Sequence, residues 1–359
     1  MNKSYRLPLW ILLAIALLLL LLHLILPHLV LNYLNNKMAD MGDYRGQIED
    51  VDLAWWRGSY SLDGLLIEKK TEPVQAPLFT ASSIDIGVSW RALWNERALV
   101  GEIILHEPHL NFIDDNDAGE EQTGQGVDWR DQVNEVVPFT LNEIRVIDGQ
   151  LSFRNFDADP PVHVYANAVN ASLFNLTNSA KAEKGRVATF EGEAKFFNQA
   201  PIEATAHFDP FTDWEDFDVI LRMTGLDLTK LNDFSNVYGK FDFAGGTGDL
   251  VVEVQARNSE LNGYIKPLLR NVEVFNFEQD VQNEDKGFFR GIWEAVVGGG
   301  ESLLKNQRKD QFATRVELSG TTKNTDISPF QAFIAILRNG FVEAFSARFE
   351  RSMNDDEEG

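Results

Sequence analysis

The 359-residue sequence contains no cysteine. That absence excludes disulfides, thiolate nucleophiles, Cys-ligated zinc and a lipidated Cys. Basic charge is also short: 32 Lys and Arg stand against 55 Asp and Glu, a formal net charge of −23. A chain this acidic is a poor partner for nucleic acid or for anionic headgroups. Histidine is scarce, with six in all: His23, His28, His106, His109, His163 and His207. In "HEPH", His106 and His109 flank Pro108, and on a strand their odd spacing is expected to point them to opposite faces rather than at one metal. No G-x-S-x-G nucleophile elbow occurs. Acidic pairs such as those in "DADP" and "DWEDFD" follow from composition and define no glycosidase geometry. The expectation is a chain with no catalytic residues, no cofactor and no metal.

Glycine-rich runs are present but out of context for phosphate binding. In "FDFAGGTGDLVVEV", residues 241–254, Asp249 and a β-branched run follow the glycines, where a phosphate loop needs a helix start and a Lys. A hairpin about Gly246-Thr247 fits better, setting Phe243 opposite Leu250 and Phe241 opposite Val252 on one face. "NEIRVIDGQLSFRNF", 142–156, reads the same way about Asp148-Gly149, pairing Val146 with Leu151 and Ile144 with Phe153. Hairpins apolar on one face and polar on the other predict a long antiparallel sheet with one wet side.

The N-terminus carries Lys3 and Arg6, then "LPLWILLAIALLLLLLHLIL". About 20 apolar residues suffice to cross roughly 30 Å of hydrocarbon. The run is longer than a signal-peptide core and no small-x-small cleavage site follows at once, although a removed signal peptide is the competing reading. The cationic end is expected to stay cytoplasmic, with the rest of the chain across the membrane. His23 within the span is expected near the outer interface, beside Pro27 and His28.

Strand-like segments then recur at intervals of roughly ten residues, the spacing of an all-β sheet or barrel. The boundaries expected are a stub at 1–6, an anchor helix at 7–34, a first β module at 35–113, an acidic linker with a short helix at 114–137, a main β domain at 138–350 and an acidic tail at 351–359. Two amphipathic helices are expected near the C-terminus. One carries Phe288, Phe289, Ile292, Trp293 and Val296; the other is N-capped by Ser328 and striped by Phe330, Phe333, Ile334, Leu337, Phe341 and Phe345. The second helix reads either as packing on the sheet or as a mouth helix meeting membrane or ligand. Trp55 and Trp56, before Arg57, read equally as an interfacial belt or as one core and one surface aromatic.

"VDLAWWRGSYSLDGLLIEKK", "SIDIGVSWRALWNERALVGEIILHEPHLNF" and "EIRVIDGQLSFRNF" resemble the opening repeats of AsmA-like envelope proteins. "GKFDFAGGTGDLVVEVQARNSELNGYIKPLLRNVEVF" and "ATRVELSGTTKNTDISPFQAFIAILRNGFVEAF" are similar to a branch catalogued as a domain of unknown function. The resemblance implies a single-pass protein of the bacterial inner membrane whose periplasmic part is a curled antiparallel β-sheet, a β-groove that holds phospholipid acyl chains. It carries no catalytic residue over. The residues expected to line the groove are Ile144, Val146, Leu151, Phe153, Phe241, Phe243, Leu250 and Val252. Membrane and phospholipid are the partners expected, with other envelope proteins or a second copy as further candidates. The function expected is lipid transport or envelope maintenance. The alternative is a partner-binding scaffold with a closed β core and no lipid.

Overall fold

A computed structural model of the chain describes residues 6–54, 58–70, 75–88, 100–114, 122, 124, 140–175, 188–208, 216–239, 242–275, 311–313 and 315–321. The two C-terminal amphipathic helices, the helix expected within 114–137 and Trp55-Trp56-Arg57 lie outside these residues. The fold is mainly β: one N-terminal apolar helix and one fifteen-stranded sheet.

Helix α1 spans Arg6–Met38. Trp10–Met38 is long and apolar enough to cross a membrane, with a mean hydropathy of 2.7 over its most apolar window. From Trp10 through Ile25 every residue is exposed; from Leu26 a stripe at helical spacing turns inward, through Val30 and Leu34 to Met38. The exposed stretch from Trp10 to Ile25 is about 24 Å long at about 1.5 Å per residue, most of the roughly 30 Å of a hydrocarbon core. The remainder packs along β1 (Tyr44–Gln47) and β2 (Asp50–Ala54), burying Leu34 and Met38 with Tyr44, Ile48 and Val51. Asn35 fixes the register of that packing. Its amide accepts from Ile48 N at 2.7 Å and donates to Ile48 O at 3.0 Å, satisfying both backbone groups at the break between the two strands.

The sheet continues through β3 (Ser59–Lys69), β4 (Phe79–Val88), β5 (Val100–His106) and β6 (His109–Ile113). It then runs through β7 (Thr140–Asn155), β8 (Val162–Phe174), β9 (Ala188–Phe196), β10 (Ala200–Phe208), β11 (Phe217–Asp227), β12 (Asp242–Arg257) and β13 (Glu260–Phe275). Two short strands, β14 (Gln311–Ala313) and β15 (Val316–Thr321), pair with β13 at the far edge. Pairing is antiparallel except at one seam, where β5 and β6 lie parallel to β7. The wholly antiparallel sheet expected from the sequence is thus a mixed one. Strands from the segments before 114 and after 138 belong to the same sheet.

Neither glycine-marked hairpin forms. Asp148-Gly149 and Gly246-Thr247 both lie inside 16-residue strands. Instead of Val146 with Leu151, the register sets Val146 opposite Ala171 and Leu151 opposite Ala166 on β8; Ile144 and Phe153 face Leu173 and Val164. Phe243 faces Val274, while Leu250 and Val252 face Pro267 and Ile265. The positive φ that suits a tight turn equally suits a β-bulge, and here it serves the bulge. Asp148 has φ 52, and the ladder slips between Val146 and Gly149.

Residues of positive φ line up across the sheet. Gly64 (φ 65) in β3 and Glu107 (φ 47) between β5 and β6 both fall opposite Ser82 of β4. Glu107 lies beside Asp148 of β7, and Ala168 (φ 49) marks the slip in β8. Farther on, Gly225 (φ 70), Gly246 (φ 122) and Asn271 (φ 51) mark slips in β11, β12 and β13. A bulge bends its strand and inverts the side-chain alternation beyond it. The apolar residues follow that inversion. Leu62 and Leu65 in β3, Ala81 and Ile84 in β4, Leu105 and Leu110 in β5–β6, Val146 and Leu151 in β7, and Ala166 and Ala171 in β8 are separated by odd intervals. Each pair nevertheless meets apolar partners in the register on both sides of the crease. One face of the sheet stays apolar from β2 to β13.

Two of the hairpins close through turns that carry no glycine. Asn258 (φ 50) and Ser259 (φ 69) join β12 to β13, and Phe197 (φ 50) and Asn198 (φ 59) join β9 to β10.

At Gly246 an added Cβ would approach Asn271 O and Val272 Cα within 3.0 Å on a backbone of positive φ, whereas at Gly245 it would meet open space. Gly246→Ala is therefore expected to destabilise the protein by about 1–3 kcal/mol. Gly245→Ala should lie within about 0.5 kcal/mol of the parent. Thermal or denaturant melts of the two variants side by side check this. Asn35→Ala leaves Ile48 N–H and C=O unpaired, and the same assay should read a loss of about 1–3 kcal/mol.

Candidate functional site

The apolar face is buried at its two ends and less so in its middle. Near α1, Ile84, Ile86 and Ile103 join the helix residues in one cluster, with Ile144 half-buried against it. At the far end Val252, Val254, Ile265 and Leu318 form a second cluster, with Leu221 and Leu250 packed on it. Between the clusters the strands are rich in small residues, among them Ala166, Gly192, Ala194, Ala204 and Ala206. Leu151 on β7 is 39% exposed there.

A gap in the sheet opens in this middle region. The β9–β10 hairpin turns back after Phe196, whereas β7 and β8 extend four or more residues farther and β11 continues to Asp227. From β8 to β11 is three strand spacings, roughly 14 Å. A helical strap, Leu228–Gly239, reaches toward that gap: a 3₁₀ turn (Leu228–Leu231), an α turn (Asn232–Phe234) and a π turn (Ser235–Gly239). Asp227 caps its start, accepting from Thr229 N at 3.0 Å and from Thr229 Oγ1 at 2.7 Å. Those bonds hold the Asp227 carboxyl pKa below its ordinary value. Leu228 packs over Gly248, where an added Cβ would come to 3.0 Å from Leu228 Cδ2. The α turn reaches β8, and the Phe234 ring meets Phe153 edge to face at 6.4 Å.

The strap connects the two groups of residues expected to line a groove. Asn232 accepts from Phe243 N at 2.8 Å and donates to Phe243 O at 3.0 Å, while Phe234 two residues on touches Phe153. Phe153 and Phe243 are both half-buried. Ile144 and Val146 are half-buried on β7, Leu250 is half-buried on β12, and Val252 is 2% exposed. Phe241 lies outside the described residues. The sequence reading missed the strap, whose signal is the Asp-x-Thr cap of "DLTKLNDF" directly after a strand.

The opposite face is polar, with cross-strand ion pairs. Arg145 meets Glu143 at 2.7 Å and Glu102 at 3.3 Å, and His207 meets Asp218 at 3.2 Å. His106 bonds Asp85 at 3.0 Å. The bulge at Glu107 brings His109 to this face too, so the two histidines do not point to opposite faces as their spacing alone suggested. A shallow depression of about 340 Å³ opens on this side between Asp52, Ser61, Asp85 and Glu102. Tyr60 borders it, its phenol pushed up to about 12 by burial. No group of three or more metal-binding side chains occurs among the described residues.

Phe234→Ala removes the ring contact and leaves the ladder intact. Amide exchange across residues 228–239 is expected to quicken about tenfold or more, with the β7–β8 amides unchanged, as read by hydrogen-exchange mass spectrometry.

No protein-family model matches the chain, and no curated protein matches it.

Proposed function

We propose that the chain is a non-enzymatic, membrane-anchored β-groove protein whose apolar face holds lipid acyl chains, as in the AsmA-like envelope proteins its sequence resembles. Its anchor would lie in a bacterial inner membrane with the N-terminus cytoplasmic, and the sheet would stand in the periplasm. The role is phospholipid transport or envelope maintenance. The observation that carries this reading is the single apolar face kept in phase across the crease from β2 to β13. Contiguous apolar surface on this scale is rarely left to water. An acyl chain laid on it gains about 0.8 kcal/mol for each CH₂ buried. The exposed, apolar half of α1 supports the same reading, because it would hold the first strands at a bilayer surface.

One observation favours a second reading. Val252 and Ile265 are 2% and 1% exposed, so the far end of the face is a dry core. If the middle closes in the same way, the protein is a partner-binding scaffold without lipid. Burial therefore ranks the lining residues: Leu151 is the best contact position and Val252 the poorest.

Photo-crosslinking residues at Leu151 and Phe153, with Val251 on the polar face as control, separate the two readings in cells. Phospholipid adducts at the first two positions and none at Val251 are the expected result. Adducts confined to the protein itself at all three would move the assignment to the scaffold.

A further inference from the structure

On the polar face, at the β7–β8 pair beside the gap, one cation has no counter-ion among the described residues. Arg154 stands directly across from His163 in the register. It is half-buried, its Nε is buried without a hydrogen-bond partner, and no carboxylate among the described residues pairs with it. Its one ring contact is Phe156, 5.7 Å from the guanidinium. Desolvation alone lowers its pKa, with no anion acting against that shift. The chain carries 55 acidic residues against 32 basic ones, so carboxylates are in excess. Other arginines take them: Arg145, Arg257, Arg270 and Arg315 each hold an ion pair.

The surroundings of Arg154 supply further donors and a rigid wall. His163 Nε2 lies 3.3 Å from Ser152 Oγ, which also accepts from Gln150 Nε2 at 3.0 Å. Burial and the Arg154 charge both lower the His163 pKa. Tyr165 stacks on His163 at 4.8 Å, and Phe197 packs edge-on to Tyr165 at 5.1 Å. Asn198 donates to Tyr165 Oη at 2.8 Å, fixing that ring. A desolvated guanidinium costs free energy until an acceptor meets it, and its planar fork suits a doubly accepting oxyanion.

We propose that Arg154 and His163, walled by Phe156 and Tyr165, form an oxyanion-binding site on the polar face of β7–β8, suited to a phosphate group. The site stands on side-chain geometry of its own and does not require lipid on the apolar face. Phosphate can reach it either free or as the headgroup of an anionic lipid, and the two sources separate by experiment.

The full chain, purified in a neutral detergent, is titrated calorimetrically with inorganic phosphate and with a soluble short-chain phosphatidylglycerol. Short-chain phosphatidylcholine serves as the zwitterionic comparison. Three proteins are compared: the parent, Arg154→Gln, and Arg145→Gln, whose arginine shares the face but is already ion-paired. Thermal melts establish that each variant is folded. The expected result is anion binding that weakens about tenfold or more in Arg154→Gln and is unchanged in Arg145→Gln. Binding of both phosphate and phosphatidylglycerol supports a general oxyanion site. Phosphatidylglycerol alone supports a headgroup site, and phosphate alone supports a site that takes the free ion. No anion binding by the parent, or equal binding by the parent and folded Arg154→Gln, overturns the proposal. Failure of the acyl-chain crosslinks would leave this result untouched, so the two readings fail separately.

Discussion

The crease governs everything else in this sheet. Side chains alternate along a strand, so one extra residue in one strand would throw half of its apolar set onto the wet face. Here the extra residue is matched in the neighbouring strands. Glu49 between β1 and β2 sits against Gly64, Gly64 against Ser82, Glu107 against Asp148, and Gly149 against Val169, next to Ala168. Local hydrogen bonds hold the row together. Glu107 N donates to Ile147 O at 2.8 Å, Gln150 N donates to Pro108 O at 2.8 Å, and Ser82 Oγ donates to His106 O at 2.9 Å. Asp249 does comparable work farther along, accepting from Gly225 N at 2.8 Å and pairing with Arg270. Because the ladder is shared, the faces on either side of the crease depend on one another.

Helix α1 and the strap both attach at breaks in strand regularity. Asn35 of α1 takes up the two backbone groups of Ile48 where β1 gives way to β2, and Asn232 of the strap takes up those of Phe243 near the start of β12. In each case a side-chain amide replaces a strand as the hydrogen-bond partner, donating and accepting at once. The helix thereby joins the sheet without covering its middle, and the strap meets β8 without pairing to it. Both leave the central stretch of the apolar face around Leu151 accessible, which is what an acyl-chain reading needs.

The alternation of "EIRVI" and "LVVEVQA" gives the strands and their apolar face directly, and the unbroken run from Leu7 gives the long apolar helix. Reading Asp148-Gly149 and Gly246-Thr247 as turns failed because a local sequence signals only that φ is positive. Whether the chain then reverses or runs on depends on partners far away. The phase slip was nonetheless written in the chain, in the five-residue interval from Val146 to Leu151 with the polar pair Asp148-Gly149 between. The parallel seam was not legible, since nothing local to β5 or β7 records its direction. Nor was the setting of Arg154: in the sequence it is one arginine among many acids, and only the register sets it across from a histidine, with no ion-pair partner among the described residues.

The seam has a bearing on how the sheet comes together. Nearly all other pairings join strands that follow one another closely, so each can zip from a short turn. At the seam His106 pairs beside Ile147, 41 residues later. Closing a loop of that length costs more chain entropy than any hairpin, by an amount growing as about (3/2)RT times the logarithm of length. Bringing β5–β6 onto β7, like bringing β14 and β15 onto β13, is thus a step local contacts do not prepare. The row of bulges already present in each half then acts as a set of matching teeth. Only one offset sets Glu107 beside Asp148, and a chain docked one residue out would bury His106 against Val146. The irregularity that bends the sheet also tells its two halves where to meet.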